Sequence, residues 1–152
     1  MSEALAQFEA RWLARLNQSS DAVFRHGLTP PDSGLHSAVA DAFVSAHGFK
    51  PIGYNWELLD ANGDMDSPRS APSELVEAIA HDISNPSRVE LGLARATECA
   101  QEFLAAFDSA TLTVVSNRYD GLWNPISGAE VEWGFVCFDD KHIALLLLAA
   151  PI

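Results

Sequence analysis

The stretch that decides the fold is "EVEWGFVCFDDKHIALLLLA", residues 130–149, in which hydrophobic residues follow the period of a β-strand. Alternate residues on one face of the first strand are hydrophobic: Val131, Trp133, Phe135 and Cys137. Glu130 and Glu132 are predicted to point to the opposite face. The polar residues 139–142 have the length of a hairpin turn, and "HIALLLLA" then forms the second strand. The stretch therefore predicts two neighbouring antiparallel strands.

Upstream of this stretch the hydrophobic period is mostly that of a helix. Helices are predicted at residues 3–17, 34–47, 72–83 and 85–107. The last is expected to begin with Asn85 as its N-cap and Pro86 at its first position, and to bury Val89 and Leu93. A strand is expected near Ile52, and "TLTVVSN", residues 111–117, predicts another.

Together these elements predict the fold class. We expect a single globular α+β domain spanning residues 1–152, because helices come first and strands are gathered at the C-terminal end. In this arrangement, N-terminal helices and one long central helix pack on a C-terminal antiparallel sheet of three to four strands.

Composition and charge narrow the function classes. The chain has 152 residues, of which 48% are hydrophobic, which favours a folded core. Nine Lys and Arg face 21 Asp and Glu, so the net charge is −12 and a nucleic-acid partner is disfavoured. The longest apolar run, residues 143–152, is about half the length of a membrane span. We therefore expect a cytoplasmic protein that contacts neither nucleic acid nor a membrane.

Motifs for catalysis, cofactors and metals do not appear. The chain has no Ser nucleophile motif and no Gly-rich phosphate loop. Its five histidines show no helical metal spacing, and Cys99 and Cys137 are expected to be buried thiols. The sequence assigns no catalytic residue, no cofactor and no metal ligand, and it favours a protein that is not an enzyme.

An acidic segment at residues 57–82 carries seven acidic residues against one basic residue, Arg69. Within it, "DANGDMDSP" at residues 60–68 places oxygen-bearing side chains at alternate positions, as calcium loops do. The calcium pattern then fails, because Met65 and Ala71 stand where a glycine and a bidentate glutamate are required. An acidic surface loop is the favoured interpretation, and calcium binding is the alternative.

A second candidate site is "SNRYDGLWNPISG", residues 116–128, which is long for a connection between two strands. Three interpretations stand side by side. The loop could stabilise itself, because Asn and Asp next to Gly commonly bond their own turn. It could contact a partner, because Arg118, Tyr119 and Trp123 are residue types found at interface hot spots. It could serve a small enzyme that uses residues 117–120 together with Glu130.

In its size, acidity, lack of catalytic motif and expected cytoplasmic character, the chain resembles the small immunity proteins that bacteria make against their own toxins. The resemblance implies steric inhibition of a basic toxin or effector, with acidic residues that steer the partner and an aromatic anchor. The predicted partner-binding residues are Asp60, Asp64, Asp66, Arg118, Tyr119, Asp120, Trp123, Glu130 and Glu132. A secretion chaperone or another binding adaptor is the alternative, and the oligomeric state stays open.

Overall fold

The structure, a computed structural model, describes residues 2–18, 20–31, 34–65, 67, 69–119 and 122–150. These residues confirm the predicted α+β class. The helices are α1 (Glu3–Leu16), α2 (His36–Ala46), α3 (Ala71–Ala80) and α4 (Leu93–Ala105). The strands are β1 (Asp21–Leu28), β2 (Glu57–Leu59), β3 (His81–Asp82), β4 (Asn85–Val89), β5 (Thr113–Ser116), β6 (Arg118–Tyr119), β7 (Leu122–Trp123), β8 (Glu132–Phe138) and β9 (His142–Ala149).

The main sheet has five strands in the order β1-β9-β8-β5-β2, and every pair in it is antiparallel. Strands β5, β8 and β9 confirm the three predicted C-terminal strands. The sheet exceeds the predicted three to four strands because β1 and β2 add an edge on either side. Two small antiparallel pairs, β3–β4 and β6–β7, lie outside this sheet.

Both faces of the central strands are buried. Side chains such as Phe135 and Leu146 pack with residues of α1, α3 and α4 on one face. Side chains such as Val136 and Leu145 pack with residues of α2 on the other face. This two-sided burial explains why β9 reads as an almost unbroken apolar run, because neither of its faces meets water.

Helix α1 follows its sequence pattern closely. Ser2 caps it, since its hydroxyl oxygen accepts a hydrogen bond from the backbone N–H of Leu5 at 3.1 Å. The predicted apolar face is buried: Leu5, Phe8, Trp12 and Leu16. On the exposed side, Arg11 forms ion pairs with Glu98 and Glu102 of α4, which ties the two helices together.

The predicted long helix over residues 85–107 is wrong in its first half. Residues Asn85–Val89 form β4, which pairs with β3, and α4 begins only at Leu93. Gly92 has φ +85°, a left-handed conformation that interrupts a helix, and its N–H donates to the carbonyl of Ala80. Val89 and Leu93 were expected to be buried, yet they are 65% and 66% exposed.

The strand expected near Ile52 is displaced along the chain. Residues Gly53–Asn55 form a short 3-10 turn, and the strand begins at Glu57. The carboxylate of Asp41 in α2 accepts hydrogen bonds from the backbone N–H groups of Ile52 and Gly53 and from the indole N–H of Trp56. These bonds hold the segment against α2 and bury Trp56, so the strand begins only after this segment, at Glu57.

The two cysteines are buried and free, as predicted. Burial raises the pKa of the Cys99 thiol to about 12, and it raises the pKa of Cys137 further. Thiols of this kind stay protonated at neutral pH and act as small core residues.

The predicted turn at residues 139–142 is organised by Asp139. Its Oδ1 accepts from the backbone N–H groups of Lys141 and His142 at 2.9 and 2.7 Å, and its Oδ2 accepts from Asp108 N–H at 2.8 Å. Burial acts to raise the pKa of Asp139, but these three hydrogen bonds and the His142 imidazole lower it more, so the net pKa is lowered. The turn therefore depends on the ionised carboxylate.

We expect Asp139→Asn to reduce the free energy of unfolding by about 1–2 kcal/mol at neutral pH, because two charge-assisted acceptors are weakened. The pKa of Asp139 is lower in the folded state than in the unfolded state. Its contribution to the free energy of unfolding is therefore complete above the unfolded-state pKa of about 4 and is lost as the pH falls through the folded-state pKa. Urea unfolding at pH 7 and near pH 3 should show the difference from wild type shrinking in acid. The exposed neighbour Asp140, replaced by Asn, is the control, and an equal difference at both pH values would contradict this role for Asp139.

Candidate functional site

The base of the loop at residues 116–128 is fixed by Asn117, which is fully buried. Its side-chain Oδ1 accepts from Gly134 N–H at 2.8 Å, and its Nδ2 donates to the carbonyl of Asn124 at 3.1 Å. Its backbone N–H donates to the Gly134 carbonyl, and its backbone carbonyl accepts from Asn124 N–H. One asparagine thus joins both ends of the loop to β8, which supports the self-stabilising interpretation for this residue.

Above this base, β6 and β7 form a short hairpin in which Arg118 pairs with Trp123 and Tyr119 pairs with Leu122. Directly opposed residues share a face, so the hairpin has two faces of different character. Arg118 and Trp123 form the inner face, and Tyr119 and Leu122 form the outer face.

On the inner face, the Arg118 guanidinium lies between two indole rings. Its centre is 4.8 Å from the Trp123 ring and 4.5 Å from the Trp133 ring, and its Nε donates to the carbonyl of Glu132 at 3.0 Å. Desolvated cation–π contacts of this kind contribute up to about 2 kcal/mol each. The stack fastens the hairpin to β8, and it places Trp123 half-buried on the inside.

The charge of Arg118 is balanced by carboxylates. Burial lowers the pKa of Arg118, whereas the carboxylates of Glu77, Glu132 and Glu74 oppose that shift. Glu77 and Glu74 belong to α3, so the charge of Arg118 lies within electrostatic range of that helix. Glu77 is exposed and adds negative charge beside the hairpin.

The outer face of the hairpin carries two exposed apolar side chains, Tyr119 at 50% and Leu122 at 75% exposure. The Arg69 guanidinium lies 4.3 Å from the centre of the Tyr119 ring, and the same group pairs with the Glu57 carboxylate at 2.6 Å. Arg69 has φ +65°, which is uncommon for a residue other than glycine. We call Tyr119 and Leu122, with the carboxylate of Glu57 that pairs with Arg69, the hairpin surface.

The expectation that Glu132 contacts a partner is wrong. The predicted alternation is right, since Glu132 points away from Trp133, but that side of β8 is covered and Glu132 is fully buried. Its Oε1 accepts from the backbone N–H groups of Ile126 and Ser127 at 3.0 and 3.2 Å. Its Oε2 is buried without a hydrogen-bond partner among the described residues. Glu132 therefore holds the second half of the loop from inside.

The remaining predicted acids are either exposed or outside the described residues. Asp60, Asp64 and Glu130 are exposed, whereas Asp66 and Asp120 lie outside the described residues. Asp60 is three residues beyond Glu57 along the sheet edge, a distance of roughly 10 Å for a strand. These exposed acids can add to the electrostatic potential around the hairpin surface without touching it.

The loop that was considered for calcium is closed by its own hydrogen bonds. Asp60 Oδ1 accepts from Asn62 N–H, and the carbonyl of Asp64 accepts from the Ser70 hydroxyl at 2.7 Å. Across the described ranges, no group of three or more His, Cys, Asp or Glu side chains is arranged to hold a metal ion.

Open grooves of about 340 to 400 Å³ occur at other places on the surface. One lies between α1 and α4, one beside the β8–β9 turn, and one between α3, α4 and the loop at Asp64. The described residues of this segment, 117–119, 122 and 123, line none of these three grooves. Exposed apolar side chains such as Tyr119 and Leu122 are a feature of protein contact sites.

Sequence reasoning missed Leu122, Glu57 and the role of Arg69. Leu122 was visible as an apolar residue next to Gly121 in a polar loop, and Arg69 was visible as the sole cation of the acidic segment. The contact of Arg69 with Tyr119 joins residues 50 positions apart, and such a pairing carries no local pattern.

Comparisons with known proteins add no further assignment: no protein-family profile, no curated protein and no solved structure matches this chain. In the part of the chain that the structure describes, none of the helices combines the length and the hydrophobicity needed to cross a bilayer.

We expect Asn117→Ala to lower the free energy of unfolding by about 2–4 kcal/mol, because it leaves buried backbone groups of β8 and of the loop without partners. Chemical denaturation measures this loss. Asn124→Ala is a matched control, since Asn124 takes part in the same hydrogen bonds only through its backbone, and we expect it to stay within about 0.5 kcal/mol of wild type. Equal losses in both variants would show that the side-chain bonds of Asn117 do not hold the loop.

Proposed function

We propose that this chain is an acidic protein-binding module, and that its contact site is the hairpin surface. The partner is a basic toxin or effector, whose active region the chain blocks sterically. The observation that carries the proposal is the exposed Tyr119–Leu122 pair, which projects from a hairpin whose other face is anchored in the protein.

Rigidity supports a binding role for this pair. Exposed apolar side chains on a mobile loop lose conformational entropy when a partner binds them, and this loss weakens the complex. Here Asn117 fixes the base of the loop, Arg118 stacks the inner face onto β8, and Arg69 covers one side of the Tyr119 ring. The aromatic anchor is thus held in place before a partner arrives, which is the arrangement seen at interface hot spots.

Charge supports a basic partner. Glu57 pairs with Arg69 beside the Tyr119 ring, Glu77 acts on the charge of Arg118, and both carboxylates belong to the acidic segment at residues 57–82. Complementary charge increases the rate of encounter and discriminates among partners. The apolar pair then supplies area that is removed from water on contact.

To test the contact site, wild type and the double variant Tyr119→Ala, Leu122→Lys should be used as bait in native extract from the source cells. We expect one stoichiometric basic protein to bind wild type and to be lost from the double variant, because the variant removes the anchor and places a cation in the interface. Leu35→Lys changes another leucine, which is 61% exposed, and serves as the control that retains binding.

Activity assays of the purified partner then distinguish inhibition from other kinds of binding. An immunity-type inhibitor suppresses the partner's own activity at a one-to-one ratio, and the double variant does not. A partner that both variants retain would contradict the hairpin surface as the contact site. A partner whose activity is unchanged in the complex would contradict inhibition and favour a chaperone or adaptor.

Association kinetics test the role of charge. We expect Glu77→Gln combined with Asp64→Asn to slow association by roughly threefold or more at low salt, with the difference shrinking at high salt as charges are screened. Glu3→Gln combined with Asp21→Asn removes the same number of exposed charges from α1 and from β1, the outer strand at the other edge of the sheet. Equal rates for these two double variants would show that the acidic edge does not steer the partner.

A further inference from the structure

Strand β1 is an outer strand of the main sheet, with β9 on one side. On the other side, the side-chain amide of Asn17 forms two hydrogen bonds with the backbone of Ala22. The Ala22 N–H donates to Asn17 Oδ1 at 2.8 Å, and the Ala22 carbonyl accepts from Asn17 Nδ2 at 3.1 Å. Along an antiparallel strand, the N–H and C=O groups of successive residues point alternately to the two neighbouring sides. The N–H and C=O groups of the even-numbered residues of β1 therefore point outward, away from β9. The odd-numbered Thr29 follows the same alternation, since its N–H points inward and donates to the carbonyl of Lys141.

The structure leaves part of this outward edge open. The Phe24 carbonyl accepts from Arg25 Nη1 at 2.9 Å, and the other outward groups of the strand beyond Ala22 have no hydrogen-bond partner among the described residues. The next even position is Pro30, which has no N–H to offer. We call the three residues between these limits the open edge: Phe24, His26 and Leu28.

We propose that the open edge pairs with the open edge of a second copy of this chain, in antiparallel fashion about a two-fold axis at His26. In this register Phe24 of one copy lies opposite Leu28 of the other, and the strands can form six inter-chain hydrogen bonds once Arg25 releases the Phe24 carbonyl. Self-pairing of one surface about a two-fold axis is the commonest way in which soluble chains dimerise.

The limits of the open edge specify the second copy as its occupant. The edge is symmetric about His26, and the register that centres the axis there places Ala22 of one copy opposite Pro30 of the other. At that point neither chain needs a bond, because Asn17 already satisfies Ala22 and proline has no N–H. A strand of an unrelated protein would end its hydrogen bonding at these same two positions only by coincidence.

Local charge and exposure agree with self-pairing. Residues 22–31 contain Arg25 and no acidic residue, and the Glu9 carboxylate of α1 lies 3.6 Å from His26 Nε2, so the edge strand itself adds no negative charge to the repulsion between two copies of a chain with net charge −12. Leu28 is 66% exposed and would be covered on pairing. Salt screens the remaining repulsion, so the dimer strengthens as salt increases, whereas binding of a basic partner at the hairpin surface weakens.

Sedimentation velocity over a wide range of protein concentration tests the dimer. We expect a concentration-dependent dimer that is favoured by salt, and we expect Leu28→Pro to raise its dissociation constant by roughly tenfold or more, because proline removes two of the six bonds. Leu28→Lys should act in the same direction through charge repulsion even if the proline disturbs the strand. Leu122→Lys alters an equally exposed leucine of the hairpin surface and should leave the dimer unchanged. A chain that stays monomeric at every concentration and salt level, or a dimer that both Leu28 variants leave intact, overturns the proposal.

Disulfide trapping tests the register. Residues 25 and 27 of opposite copies form a non-hydrogen-bonded pair with Cα atoms about 4.5 Å apart, close enough for a disulfide. Gly27 has room for a side chain, since the nearest atom to a Cβ there is Phe43 Cε1 at 3.9 Å. Mixed Arg25→Cys and Gly27→Cys proteins should form covalent heterodimers in excess over either homodimer under mild oxidation. Homodimers in equal yield, or no covalent dimer, overturn this register.

Discussion

The constraint on which the rest of this structure depends is the burial of β8 and β9 on both faces. Leu145 and Leu146 are neighbours in sequence, lie on opposite faces, and are both removed from water. Each such side chain contributes about 1.5–3 kcal/mol. Helices are therefore required above and below the sheet, and any polar group that enters these strands must find its partners inside the protein.

The polar network at the end of β8 follows from that requirement. Glu132, Asn117 and Ser116 are all fully buried, and each one accepts hydrogen bonds from groups that would otherwise be unsatisfied. The long loop at residues 116–128 is stiff because these side chains fasten it from beneath. The same fastening turns one face of the β6–β7 hairpin inward and leaves the other outward, so each two-residue strand of the hairpin carries one structural and one contact side chain.

How much of the fold could be predicted depended on whether the signal was local. Helix α1 and strands β5, β8 and β9 were predicted because their apolar period runs unbroken over each element. The start of α4 was missed because Asn85–Pro86 imitates a helix start, whereas β4 is held by pairing with β3. Glu132 was misassigned because alternation along a strand shows which residues share a face but not whether that face meets water.

The candidate site was predictable in its location and not in its geometry. Tyr119 was identified from its residue type, but its pairing with Arg69 depends on a contact across about 50 residues. Trp123 was predicted to contact a partner because of its residue type. The hairpin register reverses that expectation, since Trp123 opposes Arg118 and shares its inward face, which leaves the neighbouring Leu122 outside.

The two edges of the sheet have opposite physical character. The edge at β2 is short and acidic, and strands as short as three residues offer little backbone for pairing, so contact there must come from side chains. The edge at β1 is eight residues long and carries Arg25 and His26, so its backbone can pair once Asn17 and Pro30 define the limits. Five strands separate these edges by roughly 19 Å, so occupation of one leaves the other accessible. A dimer through β1 would then present two hairpin surfaces on opposite outer edges, and binding of a basic partner would reduce the net negative charge that opposes self-association. Partner binding and dimerisation would in that case strengthen each other through charge alone, without a conformational change in the fold.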